Sequence, residues 1–156
     1  MLFRSILRTL RELDEATRDT DNDPQLLVEA PPGGSVVAWA VEDRLVQVLR
    51  NLIANAQSFS PPRGRIWLRA HEADGQVEIT VEDEGPGIPE SNLQQVFDRF
   101  YSERPKSERF GEHSGLGLSI SRQIIEALHG WIGADNRRDA SGKVLGARFV
   151  VRLPKA

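Results

Sequence analysis

The sequence has no cysteine. Disulfide bonds and thiolate chemistry are therefore excluded, and the composition is compatible with a reducing compartment. It also has no run of 18 consecutive apolar residues, so no stretch reads as a membrane-spanning helix. Met1-Leu2-Phe3-Arg4 lacks the apolar core and small-residue cleavage site of a signal peptide, and the abrupt start suits a chain that begins inside a longer protein. Charge of one sign is scarce too. Twenty basic residues against 23 acidic ones leave a net charge of -3, which gives no general pull toward nucleic acid or anionic lipid. No Gly-x4-Gly-Lys-Ser/Thr phosphate loop occurs. What is present is 156 residues at 39% hydrophobic, enough for a single domain that buries roughly 70% of its unfolded surface.

Phe3, Ile6, Leu7, Leu10 and Leu13 recur at spacings of three or four, which predicts an amphipathic helix over residues 3–18. The run Asp19 to Pro24 ends it, since Asp and Asn bond back to local backbone and Pro cannot continue a helix. That acidic loop lacks the central Gly and distal Glu of a calcium loop. Leu26 to Glu29 and Val36 to Trp39 flank Pro31-Pro32-Gly33-Gly34 and read as two strands joined by a turn at a sheet edge. A second helix is predicted over 42–57, with Leu45, Val48, Leu49, Leu52, Ile53 and Ala56 inward.

Asn51 and Asn55 lie four apart on that helix, stacked one turn above the other beside its apolar stripe. They suit two readings: a pair of exposed or capping amides, or amide oxygens for a hard cation whose shell is completed by phosphate oxygens and water. Residues 65–71 and 76–83 alternate apolar and polar around Glu72-Ala73-Asp74-Gly75, the pattern of a hairpin. Continuing the second strand puts Asp83 on the inward face with Ile79 and Val81, where a carboxylate needs donors. A turn-starting residue before Gly85 is the competing reading. Residues 90–114 hold few apolar anchors and read as a mobile functional loop. The loop ends at Gly115-Leu116-Gly117-Leu118, which opens a helix running to Gly130. Glycines at a helix mouth let backbone N–H groups approach a phosphate. Trp131 to Ala134 and Ala147 to Leu153 read as the last strands, separated by a polar loop from Asn136 to Gly142.

The order of these features over residues 36–152 resembles the catalytic, ATP-binding domain of bacterial sensor histidine kinases, within the superfamily that includes the gyrase, chaperone and mismatch-repair ATPases. Leu45 to Ser60 is similar to that family's N box and Asp83 to Ile88 to its first glycine box. Val96 to Tyr101 is similar to its phenylalanine box, and Gly115 to Leu118 to its second glycine box. The resemblance implies an α/β fold: a two-layer sandwich with a mixed, mostly antiparallel sheet covered on one face by three helices.

It also implies roles. Asp83 would read adenine, Asn55 would bind Mg2+, and Asn51 would contact phosphate or a magnesium-bound water. Gly85, Gly87 and Ile88 would let the chain pass the base, with Phe59 near adenine. Ser114, Gly115, Leu116, Gly117 and Leu118 would line the phosphates, and Arg99 would be a cation on a lid spanning 85–114. Ser58 and Ser102 stand where many members carry a phosphate-binding lysine and an arginine. In related branches a glutamate general base sits four residues before the magnesium asparagine. Here that position is Asn51, an amide that takes no proton at neutral pH, which favours transfer to an imidazole over hydrolysis.

None of His71, His113 and His129 has the setting of a phosphoacceptor. The implied protein is thus the ATP- and Mg2+-binding half of a two-component kinase, one domain over 1–156 with helix 3–18 leading in. Its partners would be a histidine-bearing dimerisation domain and a response regulator receiver domain, with neither nucleic acid nor direct membrane contact. It would be cytoplasmic, in a parent that is soluble or anchored in the inner membrane. The alternatives are a nucleotide-sensing module whose lid orders for a partner, and a hydrolysing ATPase.

Overall fold

The alternation of apolar and polar residues over 65–83 folds into the centre of a sheet. The computed structural model describes residues 2–5, 24–29, 37–99 and 117–156. Strands β4 (Arg65–Ala73) and β5 (Gln76–Glu82) form the expected hairpin, and its two turn residues both take positive φ, Asp74 at 52° and Gly75 at 75°. A turn of that hand matches the twist of paired strands. To the far side of β5 lies β7 (Val144–Pro154), which pairs in turn with β6 (Trp131–Arg138). On the other flank β2 (Gln25–Glu29) runs parallel to β4. The five-stranded sheet therefore has the order β2-β4-β5-β7-β6, with one parallel and three antiparallel pairings.

Two expectations need correction. Leu2–Ser5 is a strand, β1, paired antiparallel with β3 (Val37–Ala40); the helix expected from residue 3 does not include these residues, and its remainder, 6–18, lies outside the described ones. Phe3 and its neighbours gain backbone pairing from β3, a tertiary partner that local periodicity cannot reveal. Nor do β2 and β3 pair with each other: β2 is an edge of the main sheet, while β3 belongs to the small sheet. Beyond these, β6 and β7 reach further than expected, so that Asn136 to Arg138 are strand and only 139–143 form the turn.

One face of the main sheet is apolar. Ile66, Leu68, Val77, Ile79, Val81, Phe149, Val151 and Leu153 are buried there against helix α1 (Glu42–Phe59) and helix α2 (Gly117–Ala127). Helix α1 buries Leu45, Val48, Leu49, Leu52, Ile53 and Ala56, the predicted stripe. Each such side chain contributes about 1.5–3 kcal/mol on leaving water. The described residues thus form two layers, two helices on one face of a mixed sheet.

Helix α2 ends in a way that composition hides. Gly130 donates to the Ile125 carbonyl and His129 to that of Glu126, a Schellman closure, but the left-handed residue is His129, at φ 62°. Gly130 serves packing instead, for a Cβ there would stand 2.4 Å from the Arg152 carbonyl oxygen. Since His129 is exposed and its left-handed backbone is costly for an L side chain, His129→Gly should stabilise the fold by about 0.5–1 kcal/mol in denaturant unfolding, whereas Gly130→Ala should destabilise it.

Candidate functional site

Asp83 follows the last residue of β5 and is 1% exposed, continuing the buried row of Val77, Ile79 and Val81. Its Oδ1 accepts two main-chain N–H groups, from Gly85 at 2.9 Å and from Ala147 of β7 at 3.0 Å. The first bond is the local turn expected of an Asp before Gly; the second comes from 64 residues away. The turn and the buried-carboxylate readings therefore hold together. Burial raises the Asp83 pKa above the ordinary carboxylate value, opposed by the two N–H bonds and by the positive charge of Arg137.

Three glycines let the chain close on this carboxylate. A Cβ on Gly85 would stand 2.7 Å from the Phe59 carbonyl oxygen, which brings the end of α1 to the start of the hinge. Gly87 has φ 79°, and a Cβ there would meet Val144 at 2.5 Å and Asn136 Oδ1 at 2.8 Å. Gly146 faces the tightest constraint, since a Cβ there would lie 1.8 Å from the Asp83 carbonyl oxygen. The next residue of the hinge, Ile88, is held by one side chain. Asn136 Oδ1 accepts from the Ile88 N–H at 2.8 Å, and Asn136 Nδ2 donates to the Ile88 carbonyl at 2.7 Å.

Of the two asparagines of α1, Asn51 meets the start of α2. Asn55 is 8% exposed, and Asn51 is half-buried. Asn51 Nδ2 donates at 3.3 Å to both the Gly117 carbonyl and Ser121 Oγ, and the fully buried Ser121 hydroxyl donates to the same carbonyl at 2.8 Å. Asn51 therefore joins α1 to the first turn of α2, where Leu118 is half-buried. Ser58 Oγ is turned inward onto the Asn55 carbonyl at 3.0 Å. Of the phenylalanine-box segment, Val96 and Phe97 are buried, Phe97 standing edge-on to Phe149 of β7 with ring centroids 6.2 Å apart. Arg99 is exposed at the end of that segment. Ser102, Ser114, Gly115 and Leu116 lie outside the described residues.

Asp83, Gly85, Phe59, Gly87 and Ile88 thus come together at one end of the sheet, while Asn51 meets Gly117 across the two helices. Sequence reasoning missed Asn136, Arg137, Gly146, Ala147 and Ser121. Gly146 carried a usable signal, because a glycine inside a strand often marks close approach of another backbone. The Ala147 contribution is a main-chain N–H and leaves no trace in residue type.

A purine-sized ligand needs a buried acceptor beside an open hinge, and its phosphates need backbone and amide groups near a helix start. The described residues supply the buried acceptor, and they include no cluster of three or more His, Asp or Glu side chains able to hold a metal by themselves. A cation here would take amide oxygens plus ligand oxygens, which the stacked Asn51 and Asn55 fit. The fold is a two-layer α/β domain with a buried carboxylate beside a glycine hinge. A family model described as histidine kinase-, DNA gyrase B-, and HSP90-like ATPase matches residues 40–156, and the chain belongs to this family.

Within the family it is similar to sensor kinases. It is 46% identical over 124 residues to the sensor protein ChvG of Rhizobium meliloti, covering 79% of this chain and 22% of that protein. The chain thus spans about a fifth of that relative's length. Among solved structures, full-length ShkA in complex with AMPPNP matches with a TM-score of 0.80 and 26% identity, over 99% of this chain and 31% of that one. Histidine kinase ThkA in complex with the response regulator protein TrrA matches with a TM-score of 0.76 and 27% identity, over 99% and 42%. The chain is thus similar to the ATP-binding part of sensor histidine kinases. Among the described residues no helix is long and apolar enough to cross a membrane.

Because the folded pKa of Asp83 is raised, its protonated form is favoured in the folded state. Its contribution is most favourable below the ordinary carboxylate range and is lost as pH rises through the raised value. Asp83→Asn keeps an acceptor for Gly85 and Ala147 but no charge, so without nucleotide it should melt above the wild type at pH 7–8. The difference should vanish as pH falls toward 4, in thermal unfolding followed by circular dichroism. Gly146→Ala should cost about 1–3 kcal/mol at any pH.

Proposed function

We propose that this domain binds ATP with Mg2+ and donates the γ-phosphoryl group to a histidine on a separate dimerisation domain of its parent kinase. The observation that carries this reading is the buried Asp83, whose Oδ1 is already occupied by two N–H groups at the lip of a glycine hinge. Neither of those donors goes to Oδ2. That oxygen can accept from an exocyclic amine, a charged hydrogen bond worth about 1.5–3 kcal/mol. Binding of AMPPNP by ShkA supports ATP as the ligand, and the complex of ThkA with TrrA supports a response regulator as a downstream partner.

In this reading Asp83 selects the base, and Gly85 and Gly87 let the hinge close against Phe59, Val144 and Asn136 as it passes the base. Asn55 and Asn51 would hold the Mg2+, which when bound would neutralise phosphate charge. Gly115, Leu116 and Gly117 would offer N–H groups at the start of α2, with Ser114 and Leu118 flanking them and Arg99 as lid cation. The lid runs from 85 to 114 as one part of a single domain over 1–156. Transfer breaks the bond between the γ-phosphorus and its bridging oxygen, leaving ADP, and forms a phosphorus–nitrogen bond on the acceptor imidazole, whose ring proton passes to solvent. Phosphoryl transfer depends mainly on position and electrostatics, so a domain without a general base suffices for an acceptor that is already nucleophilic. Asn51 provides no base. The parent kinase would act at the cytoplasmic side, whether soluble or inner-membrane anchored.

Supplied with the parent's histidine-bearing domain and ATP, the chain should give acid-labile phosphohistidine. ATP binding without label transfer would favour a nucleotide-sensing module, and rapid phosphate release by the chain alone would favour an ATPase. Asp83→Asn should weaken ATP binding by roughly 10- to 100-fold in calorimetry. Asn55→Ala should remove the Mg2+ dependence of the remaining affinity.

A further inference from the structure

Arg137 lies on β6 directly opposite Gly146 of β7. Because Gly146 has no side chain, the guanidinium can cross β7 and reach two strands beyond it. Its Nη1 donates to the Asp83 carbonyl at 2.8 Å, its Nε lies 3.2 Å from Glu82 Oε2, and its central carbon stands 4.3 Å from the centre of the Trp67 ring on β4. All of this happens on the sheet face away from α1 and α2. The Asp83 carbonyl lies just past the last paired residue of β5, Glu82, where the ladder to β7 stops.

We infer that Arg137 is a positioning residue for Asp83, holding its main-chain carbonyl from the back of the sheet and placing a cationic charge behind its carboxylate. The inference rests on Asp83 as the base-reading group. Arg137 is itself fixed from several directions. Glu82 pairs with it and also with Arg69 of β4 at 3.0 Å and Arg148 of β7 at 3.7 Å. Glu84, just past β5, is engaged by Arg65 of β4. Asp135 of β6 stands opposite Arg148 in the register. Stacking on Trp67 sets the guanidinium plane, which a lysine would not reproduce. The charge adds to the two N–H bonds in favouring the ionised carboxylate, whose oxygens accept without donating.

The test compares Arg137→Gln and Arg137→Lys with the wild type. ATP·Mg2+ affinity is measured by calorimetry from pH 5.5 to 8.5, each variant as a ratio to wild type so that titration of the nucleotide cancels. Arg137→Gln should lose affinity progressively toward low pH, with the low-pH limb moved upward. Arg137→Lys should leave that limb in place while lowering affinity by a similar factor at every pH. Carbon-13 NMR of the Asp83 carboxyl without nucleotide should show the same displacement in Arg137→Gln. A uniform loss in both variants, or an unchanged profile, overturns the proposal. Asp83→Asn is measured alongside: if it binds ATP as tightly as the wild type, the base-reading assignment itself fails. If it binds weakly while Arg137→Gln titrates like the wild type, only the positioning role falls. Should Arg137→Gln not fold, Arg137→Met and the carboxyl titration of Arg137→Lys decide the question.

Discussion

A carboxylate sealed at the end of an apolar strand face must find donors, and much of the local architecture follows from that need. Asp83 shares its face with Val77, Ile79 and Val81 and is itself only 1% exposed. Two N–H groups converge on one of its oxygens. For Ala147 to deliver one of them, β7 must run so close to Asp83 that residue 146 can have no Cβ. The absence of a side chain at 146 then opens the path by which Arg137 reaches the Asp83 carbonyl. One buried charge thus constrains a glycine, an amide and a guanidinium on two other strands.

Elsewhere in the site, polar side chains join elements that hydrophobic packing alone would leave in approximate register. Asn136 grips both main-chain groups of Ile88 and so ties the hinge to β6. Asn51 and Ser121 converge on the Gly117 carbonyl and set α1 against the start of α2. Buried amides of this kind are directional, and misplacing either partner leaves an unsatisfied group costing about 1–3 kcal/mol. In the proposed function the same residues stand between a base-reading end and a magnesium end, so their geometry sets the span available to a nucleotide.

The face of the sheet away from the helices is finished differently. Trp67 is covered by the guanidinium groups of Arg65, Arg69 and Arg137, and Trp131 by that of Arg152. Glu78 and Glu82 each receive two arginines or more. Stacked guanidinium planes shield the aromatic surface while their edges stay hydrated. This cover lets β4, β5 and β7 carry β-branched and aromatic residues on one side without a third layer on the other.

Local pattern was enough for much of this protein. The stripe from Leu45 to Ala56, the hairpin about Asp74-Gly75 and the inward side of Asp83 all follow from periods of 3.6 and 2, which depend on nearby residues alone. The order of the four boxes was legible for the same reason, since each is a short contiguous run. What local pattern could not decide was pairing between distant segments. Leu2–Ser5 has helical spacing yet is a strand because Val37–Ala40 lies beside it. Gly130 was legible as the end of its helix, but the left-handed conformation falls to His129, and Gly130 is held by the close approach of Arg152. Ala147, Gly146 and Arg137 became part of the Asp83 environment only when β5, β6 and β7 were laid side by side. The sequence by itself determined which segments are helix or strand near the site and which carboxylate faces inward. Tertiary structure alone decided what surrounds that carboxylate, because a main-chain donor or a missing Cβ acts through position in space and not through the chemistry of its own side chain.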